Sequence, residues 1–188
     1  MRTSPYPDVS PAFFPLLAAM VMLLPLRWCL AFFSAALVHE SCHMLGLCLC
    51  GEKPLHFNVS AAGATIRSAP LPRWQALLCT LAGPLGGLLP LLLARWFPRL
   101  AICAAAQSVF NLLPIRSLDG GRILRLCLEY FLPGNMTDSL CHRVEFLIFA
   151  LTAALGVYCS FVLKLGPLPV LVAGMVITKG RIGKIPCK

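Results

Sequence analysis

His39 and His43 stand four residues apart in the run His39-Glu40-Ser41-Cys42-His43. In a helix, residues at that spacing share one face, about 40° from lying directly above one another. Two imidazoles so placed can reach one zinc ion, with the glutamate between them next to the water that such a site needs. Four His and four Glu in 188 residues give roughly 0.002 such patterns by chance placement, so coincidence explains it poorly. The competing reading is a pair of core histidines bonded to neighbouring helices, which would need many partners for two imidazoles and a carboxylate.

The surroundings sharpen the reading. Neither Cys29–Val38 before the run nor Met44–Cys50 after it contains a charged residue. Ionisable groups inside an apolar span are costly, so such a placement points to function, here zinc chemistry within a bilayer. Composition agrees: 59% of the residues are hydrophobic, 12% are charged, and the mean hydropathy is +0.82. Soluble domains are about a quarter charged. The chain therefore reads as a polytopic membrane protein with room for a single domain, 1–188, and no soluble accessory domain. Its formal net charge is +9, but the Lys and Arg are scattered between apolar runs. They suit cytoplasmic loops and anionic lipid headgroups, not nucleic acid. The ten cysteines show no zinc-ribbon spacing, and those in apolar runs read as small hydrophobes, not as a disulfide framework.

A span needs about 20 apolar residues. Six candidates emerge, at roughly 11–26, 28–50, 74–97, 100–118, 145–163 and 165–178. The first reads as a retained membrane segment, not a cleaved signal, because no small-residue cleavage site precedes Arg27. The dipeptide Arg-Trp at 27–28, 73–74 and 95–96 marks span boundaries, where Trp prefers the headgroups and Arg snorkels to water. With both termini cytoplasmic, the inner segments hold Arg2, Lys53, Arg67, Arg73, Arg122, Arg125, Arg143, Lys179, Arg181, Lys184 and Lys188, and the outer loops Arg27, Arg95, Arg99 and Lys164. Eleven against four favours this orientation. Residues 57–67, with Gly63 among small and β-branched residues, read either as a hairpin at the membrane edge or as a plain surface loop. Gly83-Pro84-Leu85-Gly86-Gly87 interrupts the third span and reads as a close-packing or kink site.

A catalytic zinc needs a third protein ligand and an open position for water. Leu49 stands where one soluble metalloprotease class places a third histidine, and Glu52 lies nine residues beyond His43. Cys42 would close the position that water needs. Asp119 is the better candidate, in Asn111-Leu-Leu-Pro114-Ile-Arg-Ser-Leu-Asp119-Gly120-Gly121-Arg122. A carboxylate at the end of an apolar span, followed by two glycines, suits a place where backbone becomes irregular beside a metal. An ordinary turn with an Asp cap is the alternative.

His39-Glu40-x-x-His43 followed by Asn111-x-x-Pro114-x-x-x-x-Asp119-Gly120 resembles the site-2 protease family of intramembrane zinc metalloproteases. Its compact form is most similar to the sporulation-type members, which process a membrane-associated transcription-factor precursor. The resemblance covers roughly residues 28–130. It implies an all-α polytopic membrane fold of about six transmembrane helices, with a three-helix catalytic core and a short hairpin-like membrane-edge loop. It implies one Zn2+ per chain held by His39, His43 and Asp119, Glu40 as general base, and Asn111 as a substrate or oxyanion contact. Pro114 and Gly120 belong to the second motif, and Gly83-Pro84 is similar to the family's glycine-proline element. That element often continues to an asparagine, whereas this chain has Leu85-Gly86-Gly87. No nucleotide-sensing or PDZ-like domain is expected. The implied partners are the lipid bilayer and a membrane-anchored protein substrate, and the implied location is a bacterial cytoplasmic membrane with a cytoplasmic C-terminus. A catalytically silent adaptor for transmembrane helices and a zinc transporter are the competing functions. Transport is disfavoured because the fifth and sixth candidate spans are nearly devoid of ionisable residues.

Overall fold

The computed structural model describes residues 8–9, 13–52, 56–60, 63–67, 70–161 and 174. Six α-helices are found among them: α1 (Phe13–Leu23), α2 (Leu26–Leu49), α3 (Arg73–Gly86), α4 (Pro98–Asn111), α5 (Asp119–Leu128) and α6 (Gly134–Phe161). A 3-10 turn, Leu89–Leu93, continues α3. Strands β1 (Asp8–Val9), β2 (His56–Ser60) and β3 (Gly63–Arg67) form one small sheet in that order. The architecture is otherwise helical. Leu26–Leu49, Arg73–Leu93 and Gly134–Phe161 are long and apolar enough to cross a membrane. The expected span at 165–178 lies outside the described residues, Gly174 excepted.

Proline opens most of these helices. Pro25 and Pro72 are the N-caps of α2 and α3, Pro98 is the first residue of α4, and Pro133 directly precedes α6. Its fixed φ suits a first turn, and its missing N–H is one the helix would not use. Glycine closes α2. Gly51 takes φ 79°, its N–H donates to Cys48 O at 3.0 Å, and the Glu52 N–H donates to Leu47 O at 3.2 Å. This is a Schellman ending, which a β-carbon at Gly51 would strain.

Packing divides the chain into two compact units, Met1–Asn111 and Leu112–Lys188. In the first, α2 is held by α3 and α4. Its buried face carries Ala31, Ala35 and His39, and the buried face of α4 carries Ala101, Ala104 and Ser108. Lipid tails are as apolar as leucine, so burial alone does not draw helices together in a bilayer. Small side chains do, by letting backbones approach. Two side-chain contacts fix the register. Gln107 Nε2–H donates to Phe32 O at 2.9 Å, and Asn111 Nδ2 lies 3.3 Å from His39 Nε2. Contacts that advance together along both chains make α2 and α4 parallel. Large apolar side chains such as Leu37 (70% exposed) and Leu45 point outward, as lipid-facing residues do. At the start of α2, the Arg99 guanidinium lies 6.0 Å from the Trp28 ring centroid, joining an expected interface anchor, Trp28, to a basic residue expected in an outer loop.

The hairpin expected near Gly63 is present. β2 and β3 pair antiparallel, with Ser60 opposite Gly63 and His56 opposite Arg67. β1 adds to β2 in parallel, a pairing that residue pattern alone does not indicate.

In the second unit, Ile115 and Leu118 are buried with Thr137 and Cys141 of α6. Two expected boundaries are corrected here. The fourth candidate span, drawn to 118, stops as a helix at Asn111. Pro114 cannot donate to the ladder and disfavours helix at the residue before it. The fifth, drawn from 145, is helical from Gly134. Its first turns carry Asp138, His142 and Arg143, which hydropathy alone set outside the span.

Candidate metal centre

His39 is 3% exposed and His43 is half-buried on the same face of α2. His43 Nδ1 lies 2.8 Å from the Cys79 carbonyl of α3. A carbonyl only accepts, so Nδ1 carries the proton and Nε2 keeps its lone pair. His39 Nε2 lies 3.2 Å from that nitrogen, with the rings nearly perpendicular at 80°. Two nitrogens bound tetrahedrally to zinc at the usual bond length stand about 3.3 Å apart. The pair therefore fits the ion that its sequence pattern implies.

Glycines of α3 make the room. α3 runs antiparallel to α2, bringing Gly46 against Cys79 and Ala82, Gly83 against His43, Gly86 against Cys42 and Gly87 against His39. A β-carbon on Gly83 would overlap the His43 ring, and one on Gly86 would overlap Cys42. On Gly87 it would come within 2.6 Å of Ser108 Oγ and 3.1 Å of His39 Nδ1. Gly83 and Gly87 thus leave the space beneath the two histidines free of their own side chains. Pro84 is buried inside this stretch. Glu40 is half-buried on α2, and Asn111, at the last turn of α4, brings its amide to His39.

In the second unit, Asp119 is the first residue of α5, after extended Leu118 (φ −110°, ψ 165°). Residues 112–118 leave helical geometry in two tight turns, Ile115 N–H to Leu113 O at 2.7 Å and Leu118 N–H to Ile115 O at 2.9 Å. Pro114 sits in the first, half-buried. Gly120 and Gly121 pack flush on the backbone of Leu112 and Ile115, where no β-carbon fits. Because the obstacle is backbone, it cannot swing away. Gly120→Ala is expected to destabilise the protein by about 1–3 kcal/mol, read as a lower thermal-unfolding midpoint in detergent. An unchanged midpoint would count against the close approach.

His39 and His43 each offer one ring nitrogen to a metal ion, and Asp119, in the second unit, offers a carboxylate oxygen at the start of α5. Two groups that the structure singles out are not visible in the sequence pattern. Cys79 acts through its carbonyl oxygen, which residue type does not reveal. Glu145 stands at the edge of a span that reads as nearly devoid of ionisable groups, yet it is 4% exposed on α6. A lone glutamate bordering an apolar stretch was its available signal.

No protein-family model matches the sequence, and no curated protein matches it significantly. Among solved structures, the chain is similar to the site-2 protease from Methanocaldococcus jannaschii, with 18% identity and a TM-score of 0.67. The match covers 96% of this chain and 91% of that one. At that identity the likeness is one of fold, and it agrees with the motif resemblance: the chain adopts a site-2 protease fold.

Proposed function

We propose that this protein is an intramembrane zinc metalloendopeptidase that hydrolyses peptide bonds within or near a transmembrane segment of a membrane-anchored substrate. The supporting observation is the pair of histidine nitrogens 3.2 Å apart on one face of α2, in a chain with a site-2 protease fold, with Asp119 taken as the third ligand on the motif resemblance. Two imidazoles and one carboxylate are a zinc-type donor set that leaves a fourth position open. Bound zinc supplies Lewis acidity, polarising the scissile carbonyl and acidifying water.

The chain's own residues do the rest. His43 is held in one tautomer by the Cys79 carbonyl, as metal-binding histidines are held by their second nitrogen. Glu40 accepts the proton of the attacking water and passes it to the leaving amine. The Asn111 amide, 3.3 Å from His39 Nε2, donates to the oxyanion as the carbonyl carbon becomes tetrahedral. The substrate must unwind locally, because helical carbonyls are engaged and shielded. The β2–β3 pair offers a template to which the unwound strand can add. The excess of positive residues in the inner segments supports a cytoplasmic C-terminus. The motif resemblance makes a membrane-anchored transcription-factor precursor the substrate class to try first.

The test is zinc content and cleavage of a panel of single-span substrates by the purified protein beside Asp119→Asn. Wild type is expected to hold zinc and cut. Asp119→Asn is expected to bind zinc at least roughly tenfold more weakly, by comparison with losses seen when even outer-shell partners are removed. Full zinc in Asp119→Asn would remove Asp119 from the ligand set. Zinc without cleavage of any substrate would favour the adaptor, and zinc flux in proteoliposomes would favour transport.

A further inference from the structure

Glu145 is a carboxylate buried to 4% exposure in an apolar helix, and its partners lie in one place. Its Oε1 accepts the backbone N–H of Arg116 at 3.3 Å. Its Oε2 lies 3.7 Å from the Arg116 Nε and 3.8 Å from His142 Nδ1. The same guanidinium donates through Nη2 to the Asp138 carbonyl at 2.7 Å. Arg116 is therefore tied to α6 at Asp138 and at Glu145, seven residues and about two turns apart. Arg125 adds a second link, with Nη2 3.5 Å from Asp138 Oδ1 and Nε 2.9 Å from Glu129 Oε1. Arg125 is half-buried and Asp138 exposed, so that link is weakly stabilising.

The clamped segment leads directly into Asp119. Residues 112–118 have no helical ladder, and Asp119 begins α5 immediately after them. Their backbone groups need partners other than the ladder, and the Arg116 N–H has the Glu145 carboxylate. A charge-assisted acceptor is about twice as strong as a neutral one. An ionisable group in a membrane helix otherwise costs several kcal/mol, so its retention calls for a function.

We infer that Glu145 is a positioning residue: it clamps the 112–118 turn through the Arg116 backbone and guanidinium, and so sets the carboxylate of Asp119 for the metal. This rests on the proposed reading of Asp119 as a zinc ligand. Glu145 touches neither metal nor substrate in this role and acts only through the turn.

The experiment uses the full-length protein in detergent, with zinc affinity by competition against a chromogenic chelator and amide hydrogen exchange resolved to 112–118. Four proteins are compared: wild type, Glu145→Gln, Asp119→Asn and the double variant. Glu145→Gln is expected to speed exchange across 112–118 and to weaken zinc roughly 10- to 100-fold. In the Asp119→Asn background the same change is expected to leave zinc affinity unaltered, because Glu145 acts through Asp119. Wild-type zinc affinity in Glu145→Gln, or an equal loss in both backgrounds, overturns the proposal. If Glu145→Gln fails to fold, Arg116→Gln keeps the backbone N–H and removes the guanidinium. It is then expected to weaken zinc, and unchanged affinity overturns the proposal. Undiminished zinc in Asp119→Asn instead overturns the ligand reading itself, so the two failures are distinct.

Discussion

Glu40→Gln is expected to keep its zinc and to cleave single-span substrates roughly 10²–10⁴-fold more slowly than wild type. Glutamine preserves the volume and one acceptor oxygen of Glu40 but cannot take a proton at neutral pH. The two imidazoles converge through His39 Nε2 and His43 Nε2, 3.2 Å apart, and their shared face of α2 follows from four-residue spacing, which the substitution leaves unchanged. Metal content should therefore be insensitive to this substitution while turnover collapses. The measurement is zinc stoichiometry beside single-turnover cleavage of a substrate that wild type cuts. Cleavage at the wild-type rate would refute Glu40 as the proton carrier. Loss of zinc together with activity would show that Glu40 supports the ligand geometry.

Gly83→Ala is expected to weaken zinc binding roughly 100-fold or more, with little effect on the stability of α3. A β-carbon at this position would overlap Nε2, Cε1 and Cδ2 of His43. The imidazole cannot retreat and keep its Nδ1–H on the Cys79 carbonyl, which stands at 2.8 Å one turn earlier on the same helix. Rotation away from Gly83 loses the hydrogen bond and turns Nε2 from its partner nitrogen on His39. Alanine is a better helix former than glycine by about 1 kcal/mol, so α3 itself gains. Metal affinity and thermal stability are thus expected to move apart, which a general packing defect would not produce. The checks are chelator competition and the unfolding midpoint of the metal-free protein. Wild-type zinc affinity would mean that the close approach at Gly83 is not required.

Much of the fold and of the candidate site was legible because it rests on local pattern. Among the described residues, hydropathy marked the helices Leu26–Leu49, Arg73–Leu93 and the later part of Gly134–Phe161, since a bilayer demands a run of apolar residues whatever packs beside it. His39 and His43 were legible because four-residue spacing puts them on one helix face in any tertiary setting. The β2–β3 hairpin was one of the two readings that the small and β-branched residues around Gly63 allowed. Pro114 signalled the helix break before Asp119, although the hydropathy reading carried the span to 118 past that signal. Span boundaries were less legible at α6. There a helix runs on through Asp138, His142 and Arg143, because backbone hydrogen bonding does not end where apolarity does.

By itself, the sequence determined the chemistry available: two histidines and a glutamate on an apolar helix, and an aspartate followed by two glycines after a helix break. Tertiary structure alone decided how that chemistry is held. The value of Gly83, Gly86 and Gly87 lies in what they lack, and that has meaning only once His43, Cys42 and His39 stand opposite them. Cys79 contributes a carbonyl that every residue possesses, so only its position opposite His43 distinguishes it. Asn111 reaches His39 because alanines and a serine let α2 and α4 approach. Glu145 finds Arg116 across 29 residues of chain. Each of these depends on which backbone stands against which, a non-local property that residue type and spacing do not encode.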